Sequence, residues 1–136
     1  MTWTLEHNET FRFIHVTLFD SVSGPELKEV TSAAIALLKK KGVLGAFLDL
    51  TGLELMAPII DVYDLPDKQY DQEGLDRNVR MAMVLPVSHS AKQAAEFYET
   101  VCVNRGWLVR SFPERNDAIE WLKGFVFPDS LPLPAE

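Results

Sequence analysis

The sequence predicts a single α/β domain with a mainly parallel central sheet of about five strands and helices packed on its faces. Three observations favour this class. Strand-like and helix-like segments alternate in the order β-β-α-β-α-β-α-β-α, which is typical of parallel strands joined by crossover helices. Residues 43–50 are apolar up to Asp49 without alternation, as expected of a strand buried on both faces. A chain of 136 residues also has the length of one domain.

Composition and charge argue against several function classes. The chain carries 13 basic and 20 acidic residues, a formal net charge of −7, which argues against nucleic acid or an anionic membrane surface as a partner. The single cysteine, Cys102, excludes an internal disulfide and favours the reducing cytoplasm. Because no apolar run reaches about 18 residues, no membrane span is expected.

The first third of the chain predicts a hairpin and then a long helix. Residues 3–7 and 11–18 are strand-like and flank a short polar break, which favours an antiparallel hairpin. Ser23-Gly24-Pro25-Glu26 has the composition of a helix start, with proline suited to the first helical position. An apolar stripe at helical spacing follows, and three lysines and Gly42 indicate the end of the helix.

The middle of the chain predicts a buried strand, a short helix and a polar connection. The strand covers residues 43–50, and the helix runs from Pro58 to about Leu65, where Pro66 is expected to end it. Residues 68–78 are expected to form an exposed connection. The acidic stretch over residues 54–76 is predicted to be a solvated surface, since its spacing fits no calcium-loop pattern.

The last third predicts two strands and two helices. Residues 79–85 form an apolar strand, and Ser88 or Ser90 caps a long helix that ends at Gly106. Residues 107–112 form a further strand, and a last helix ends at Gly124. The domain is expected over residues 1–124, with a proline-rich tail over 125–136. The apolar start of that tail should dock on its own sheet or on a second subunit, so a homodimer is one expectation.

Three segments of the sequence carry a resemblance to a known family. They are Phe47-Leu48-Asp49-Leu50-Thr51-Gly52, Met81-Ala82-Met83-Val84-Leu85-Pro86, and a closing stretch formed by residues 104–112 and 117–122. Together with the order of elements, they make the chain resemble the STAS domain of the sporulation anti-anti-sigma factors over residues 11–124. Within that family it is most similar to the SpoIIAA-like branch of small bacterial proteins. The resemblance implies a fold that the CRAL-TRIO lipid carriers share.

The sequence departs from the family at the position of a regulatory serine. In anti-anti-sigma factors a strand ending Asp-Leu-Ser is followed by an Asp-Ser-Ser-Gly-like turn, whose serine the partner kinase phosphorylates. Matching Asp49-Leu50-Thr51 to the first motif places Ala57-Pro58-Ile59-Ile60 on the second, with Ile59 at the phosphoacceptor position. Isoleucine cannot be phosphorylated, so kinase-linked switching cannot use this residue. Thr51 is the only hydroxyl side chain between Asp49 and Ile60.

The titratable residues form no clear catalytic or metal-binding pattern. His15 lies in a covered strand and is expected in or near the core, and His7 is expected to be solvated. His89 lies between two serines as a base beside a nucleophile would, but adjacent side chains seldom face each other and capping explains the serines. Cys102 lies on the apolar stripe of its helix and is expected to be buried and unreactive. We therefore predict no catalysis, no metal and no cofactor.

The sequence thus predicts a cytoplasmic binding or regulatory domain, whose partner is a protein or a small apolar ligand. The predicted binding surface is the loop and short helix that follow the buried strand, where acidic side chains lie beside apolar ones. Its residues are Thr51, Met56, Ile59, Ile60, Asp61, Tyr63 and Asp64.

The alternative is a carrier or sensor of a lipid or other small hydrophobic ligand, by analogy with the CRAL-TRIO fold. Eight large side chains would then line an apolar cleft near the strand ends. An ordinary packed core, with methionine filling gaps, explains the same residues. The eight are Phe47, Met56, Ile59, Ile60, Tyr63, Met81, Met83 and Tyr98.

Overall fold

The computed structural model of the chain describes residues 2–126 and contains a five-stranded sheet in the order β1-β2-β4-β6-β7. Only β1 and β2 pair in antiparallel fashion, as the N-terminal hairpin, and the remaining neighbours are parallel. The mainly parallel sheet and the hairpin are therefore confirmed. The strands are β1 (Trp3–Asn8), β2 (Phe13–Leu18), β3 (Asp20–Val22), β4 (Gly45–Asp49), β5 (Leu53–Leu55), β6 (Arg80–Val84) and β7 (Leu108–Phe112).

Helices lie on both faces of this sheet. The segments α1, α2, α3 and α4 contribute to a core on one face, and α5 packs against the other face through Ala118 and Leu122. The helices are α1 (Gly24–Lys41), α2 (Ile59–Asp64), α3 (Tyr70–Gln72), α4 (His89–Asn104) and α5 (Arg115–Val126). The last one runs through Gly124 because this glycine does not adopt the left-handed conformation that ends helices. The predicted end at Gly124 is therefore two residues short, and the rest of the predicted tail lies outside the described residues.

The start and end of α1 follow the sequence signals. The Ser23 side chain accepts the Glu26 N–H, and a Glu26 carboxylate oxygen accepts the Ser23 N–H at 3.0 Å, forming a capping box. At the other end Gly42 adopts φ 64° and donates its N–H to the Leu38 carbonyl, as a left-handed C-terminal cap does. Both predicted ends of this helix are confirmed.

Pro66 does not end the helical segment that begins with α2. The segment continues through a π-helical turn, Leu65–Gln69, into α3, and the Tyr70 N–H bonds to the Leu65 carbonyl. Proline lacks an N–H, and the wider turn accommodates the interruption that this leaves in the regular ladder. The α-helix thus ends at Asp64, close to the predicted end at about Leu65, and the π-helical turn that follows was not predicted.

The segment over residues 68–78 is not simply an exposed connection. Tyr70 and Leu75 are buried in the core. The Gln69 amide donates to the Lys28 carbonyl at 3.0 Å and to the Ser32 hydroxyl at 3.1 Å, which joins the segment to α1. The prediction of an exposed connection is thus wrong at Tyr70 and Leu75.

A second, small sheet is absent from the sequence-based prediction. Strands β3 and β5 pair in parallel, with Val22 and Leu53 buried beneath them, and the Met56 N–H donates to the Val22 carbonyl at 2.9 Å. Three-residue strands have too few positions to show a periodic pattern. Their pairing fixes the path of the chain between the end of β4 and the start of α2.

Candidate functional site

The carboxyl ends of β4 and β6 meet at one edge of the sheet. The Leu50 N–H donates to the Val84 carbonyl at 3.1 Å, and the Val87 N–H donates to the Thr51 carbonyl at 3.2 Å. These bonds hold the two loops side by side. In open α/β sheets this is the edge at which binding sites occur.

Exposed apolar side chains concentrate on the segments that leave this edge. Seven large apolar side chains are exposed in the described part of the chain, and four of them follow β4 or β6: Met56, Ile59, Ile60 and Val87. Their exposed fractions are 70%, 53%, 56% and 81%. We call these four residues the edge surface. Clustered exposed apolar groups mark interaction sites more often than scattered ones do.

Acidic side chains border the edge surface. Asp61 lies on α2 against Gly24, the first residue of α1, so closely that a Cβ at position 24 would overlap the carboxylate. This places a negative charge beside the positive end of a helix, which is favourable. Glu54 is exposed on β5. The edge surface is therefore apolar with an acidic margin.

Thr51 is held by the strand that precedes it. Its hydroxyl donates to Asp49 Oδ1 at 2.6 Å, and its N–H donates to the same oxygen at 3.1 Å. Asp49 Oδ2 accepts from Arg115 Nη1 of α5 at 3.2 Å. Asp49 thus orders the loop after β4, and Thr51 itself is exposed.

Tyr63 and Asp64 bind within the fold rather than joining the edge surface. The Tyr63 hydroxyl accepts from the Arg105 guanidinium, which also lies 4.9 Å from the tyrosine ring centre and 3.0 Å from Asp67. Asp64 lies 3.8 Å from the Lys68 ammonium. The other five of the seven predicted residues, Thr51, Met56, Ile59, Ile60 and Asp61, lie on the stretch of chain between the end of β4 and the first turns of α2, and their binding role stays a prediction.

An apolar cavity of about 120 Å³ lies between the sheet and the helices α1, α2 and α4. It is lined by inward-facing side chains of β2, β4, β5 and β6, by apolar faces of the three helices, and by Tyr70 of α3. Among the lining side chains are Val16, Ala46, Met83, Val62 and Ala95. Part of this core is therefore empty space rather than close-packed side chains.

The cavity differs from the predicted cleft in most of its lining. Of the eight predicted side chains, Met81, Met83 and Tyr98 line it and the other five do not. Phe47 belongs to the core on the opposite face, because side chains alternate along β4 and its neighbours Ala46 and Leu48 face the cavity. Ile59 and Ile60 lie on the outer side of α2, whereas Val62 is buried.

Two tyrosine hydroxyls form the main polar feature of the cavity wall. Tyr70 and Tyr98 line the cavity, their hydroxyls are hydrogen-bonded to each other, and the Tyr98 hydroxyl lies 3.6 Å from Met81 Sδ as a donor. Burial raises the pKa of both tyrosines, so both remain neutral. Burial also raises the pKa of the nearby Cys102 thiol to about 12, and the predicted buried position of this cysteine is confirmed.

His15 Nε2 lies 3.3 Å from the Thr17 hydroxyl, whereas His89 lies between two serines. Ser88 is the residue that begins α4, and its hydroxyl lies 3.4 Å from the Ser90 hydroxyl; within residues 2–126 no hydrogen bond joins either serine to His89. His15 is half-buried and packs edge-on against Phe47, with the ring centres 4.9 Å apart. Burial, and then the charge of Arg115, lower the pKa of His15. Across the described residues no group of three His, Cys, Asp or Glu side chains has a metal-binding arrangement.

Two solved structures resemble this chain over most of its length. One is an anti-sigma factor antagonist from Mycobacterium paratuberculosis, with a TM-score of 0.61 and 14% identity, covering 90% of this chain and 93% of that one. The other is an uncharacterised DUF3478-family protein with a SpoIIAA-like fold from Shewanella loihica, with a TM-score of 0.57 and 15% identity, covering 88% and 91%. This chain has the SpoIIAA-like fold. No protein-family model matches its sequence, and a search of curated proteins finds no match.

The SpoIIAA-like fold is the one that the three sequence segments implied, so that expectation is confirmed. The mainly parallel five-stranded sheet and the helices on its faces agree with it. None of the helices in residues 2–126 combines the length and apolar character needed to cross a membrane.

Proposed function

We propose that this chain is a non-catalytic, cytoplasmic STAS-like binding domain, and that it docks a protein partner through the edge surface. The observation that carries the proposal is the concentration of exposed apolar side chains after β4 and β6. The similarity to a structure described as an anti-sigma factor antagonist, which by its name acts in protein regulation, also supports it. Association with a partner that buries the exposed isoleucines is favourable, because it removes their apolar surface from water.

The charge around the edge surface suggests the chemistry of the partner. Asp61 and Glu54 border the apolar side chains, and the whole chain has a net charge of −7. A partner patch with an apolar centre and a basic margin would be complementary to this surface. We therefore expect association to weaken as salt concentration rises.

The control of this association would differ from that of the anti-anti-sigma factors. By the resemblance, Ile59 occupies their phosphoacceptor position, and its side chain has no group that can accept a phosphate. Thr51 is exposed and carries the nearest hydroxyl in the loop, so it is the residue at which a modification would change the charge of this edge.

Site-specific photo-crosslinking tests the protein-docking proposal. A benzophenone amino acid is placed at Ile60 in the full-length protein and, in a matched control, at Val103, which is exposed to a similar extent (56% and 53%) and lies at the far end of α4. Irradiation in the source organism should link one defined protein to position 60 and not to position 103. Equal products from both positions, or none from position 60, would contradict the proposal.

Competition with purified variants sharpens the same experiment. Unlabelled protein should displace the crosslink, and I59E should compete roughly tenfold or more weakly, since a charge would be placed in the apolar centre of the interface. V103E serves as the control, because Val103 has the same 53% exposure as Ile59, and it should compete like the unchanged protein. If I59E and V103E compete equally well, the partner binds at a surface other than the edge surface.

A second candidate function, a carrier or sensor of a lipid or other small hydrophobic ligand, is favoured by the cavity. Its volume of about 120 Å³ is close to that of an engineered apolar cavity of roughly 150 Å³ that binds benzene. It is smaller than the roughly 300–1,000 Å³ of typical ligand pockets. The ligand of this candidate is therefore a compact molecule rather than a long acyl chain.

Native mass spectrometry of protein purified from its source organism tests the second candidate. A carrier should retain a non-covalent small molecule, and mild activation should release it. A spectrum that contains only the unliganded chain would count against this candidate. The predicted homodimer would appear in the same spectrum at twice the mass of the chain.

A further inference from the structure

We propose that the cavity selects a compact, uncharged molecule with an apolar body and one hydrogen-bond acceptor, which the tyrosine hydroxyl pair holds. This inference rests on the second candidate function, because it assumes that the cavity takes a ligand. It goes beyond that candidate by naming the chemistry of the ligand and the side chains that recognise it, Tyr70 and Tyr98.

The shape of the cavity sets the size and the body of the ligand. At about 120 Å³ it fits a six-membered ring or a short branched chain, by comparison with the roughly 150 Å³ cavity that takes benzene. The lining consists of aliphatic, methionine and alanine side chains, with Thr31 and the two tyrosines as the polar exceptions. Thr31 already donates its hydroxyl to the Leu27 carbonyl at 2.8 Å.

The charge of the ligand follows from the same lining. None of the described side chains that line the cavity is charged. An ion placed there would lose its hydration without gaining a counter-charge, which is strongly unfavourable. Carboxylates, phosphates and ammonium groups are therefore excluded as the part of the ligand that enters.

Two facing phenols can form only one O–H···O bond with each other. When one hydroxyl donates to the other, the second O–H needs a different acceptor. The acceptors available to the Tyr98 hydroxyl are sulfur atoms, Met81 Sδ at 3.6 Å and the Cys102 thiol, and sulfur is a weak acceptor. One buried O–H therefore lacks an oxygen or nitrogen partner of its own within this cluster.

A ligand oxygen would supply that partner. Burial raises the pKa of both phenols, so both hydroxyls keep their protons and act as donors. A carbonyl or ether oxygen can accept such a bond without bringing another donor. A buried donor that gains a good acceptor is stabilised because its desolvation is then compensated.

Two ligands of nearly identical shape test separately whether the cavity binds a compact apolar molecule and whether it prefers one that carries a hydrogen-bond acceptor. Cyclohexanone carries a carbonyl oxygen, and methylenecyclohexane carries a CH₂ group in its place. Each is titrated into the full-length protein with ¹³C-labelled methionine methyl groups, observed by NMR. The Met81 and Met83 signals should shift because both side chains line the cavity, and the exposed Met56 signal should not.

The double variant Y70F/Y98F removes both hydroxyls while keeping both rings. Replacing both members of a buried pair by apolar groups of the same shape is close to neutral for folding. We expect cyclohexanone to bind this variant roughly fivefold more weakly, from the loss of one net hydrogen bond. Methylenecyclohexane should bind it at least as tightly as before. T100V, which removes a hydroxyl outside the cavity lining on α4, should change neither affinity.

The possible outcomes distinguish this inference from the function on which it rests. If neither ligand shifts the Met81 and Met83 signals of the unchanged protein, the cavity takes no compact ligand and both the carrier candidate and the inference fail. If both ligands bind and Y70F/Y98F weakens them equally or leaves both unchanged, the carrier candidate stands and the acceptor preference is wrong. Selective weakening of cyclohexanone supports the inference.

Discussion

The two faces of the central sheet are packed in different ways. The face covered by α5 is filled by aromatic rings and small residues, and we call it the filled face. The face covered by α1, α2 and α4 contains the cavity of about 120 Å³, and we call it the hollow face. The buried residues of the filled face are Phe13, Phe47, Ala82, Val84, Phe112, Ala118 and Leu122.

The difference has a geometric cause. On the filled face a single helix lies over the sheet, and Ala118 allows it to approach while Phe47 and Phe112 occupy the space beside it. On the hollow face the segments α1, α2, α3 and α4 meet, and the cavity lining there includes the small residues Ala46, Ala91 and Ala95. Close packing needs side chains that match the space between elements. The filled face therefore lacks such space, whereas the hollow face retains unfilled volume between its helices and the sheet.

The largest expected effect comes from shortening one leucine on each face. L122A on α5 should lower the free energy of unfolding by about 4 kcal/mol, and L38A on α1 by about 2.5 kcal/mol, because a side chain beside a cavity has fewer contacts to lose. Both leucines are buried. Urea unfolding followed by circular dichroism measures the two values. Equal losses would remove the distinction between the faces.

Replacing one alanine on each face by leucine should change the stability in different directions on the two faces. A118L on the filled face should destabilise the protein by about 2 kcal/mol through overpacking. A95L on the hollow face should be neutral or should stabilise it by up to about 1 kcal/mol, because the added carbons enter the cavity. Both positions are buried in helices, so helix propensity affects them alike. Thermal unfolding compares the two variants, and a clear destabilisation by A95L would contradict the hollow face.

The helices of the hollow face also differ in how they begin. Ser23 caps α1 through its side chain, whereas Ser88 begins α4 without a side-chain capping bond. S23A should therefore cost about 1 kcal/mol of unfolding free energy, and S88A should cost only a few tenths of a kcal/mol. Parallel denaturant titrations of the two variants provide the measurement. A larger loss for S88A would show that α4 depends on its first residue more than α1 does.

The smallest expected effect is a pH dependence of stability that arises from His15, which packs against Phe47 of the filled face. Burial and then Arg115 lower the pKa of His15, while Asp49 and Glu6 act in the opposite direction with smaller effect. The unfolded chain then binds a proton at a higher pH than the folded chain, so stability is complete above about pH 6.5 and falls as the pH drops below it.

When the pH is lowered from about 7.5 to about 5.5, the variant H15Q should lose less unfolding free energy than the unchanged protein. H89Q, which changes an exposed histidine at the start of α4, is the control and should retain the dependence of the unchanged protein. The midpoints of urea unfolding at the two pH values measure this pH dependence for each variant. An unchanged dependence in H15Q would assign the proton uptake to other groups.

Much of the fold was predictable because its signals are local. Ser23, Glu26 and Gly42 determine the two ends of α1 through contacts within a few residues, and all act as their types suggest. The apolar run over residues 43–50, unbroken up to Asp49, indicated a strand buried on both faces of a mainly parallel sheet, and β4 pairs in parallel with β2 and β6. The α-helix ends before Pro66 as expected, but the π-helical turn that follows has no simple sequence signal and was not predicted.

The candidate site was predictable in part. Met56, Ile59 and Ile60 were expected on a loop and a short helix after a buried strand, and all three are exposed there. The partners of Tyr63 lie on distant segments, with Arg105 at the end of α4. No spacing along the chain encodes such a contact, so the sequence did not separate Tyr63 from its exposed neighbours.

By itself the sequence determined the main alternation of strands and helices and the parallel sheet, because alternation, apolar runs and helix ends depend on neighbours along the chain. The SpoIIAA-like fold was implied by the resemblance of three segments to the STAS family. Only the tertiary structure decided that one face is filled and the other hollow. A cavity is the difference between the volume that several elements enclose and the volume that their side chains occupy. That difference at Ala46, Met83 and Ala95 depends on how α1, α2 and α4 meet over the sheet, which no local pattern specifies.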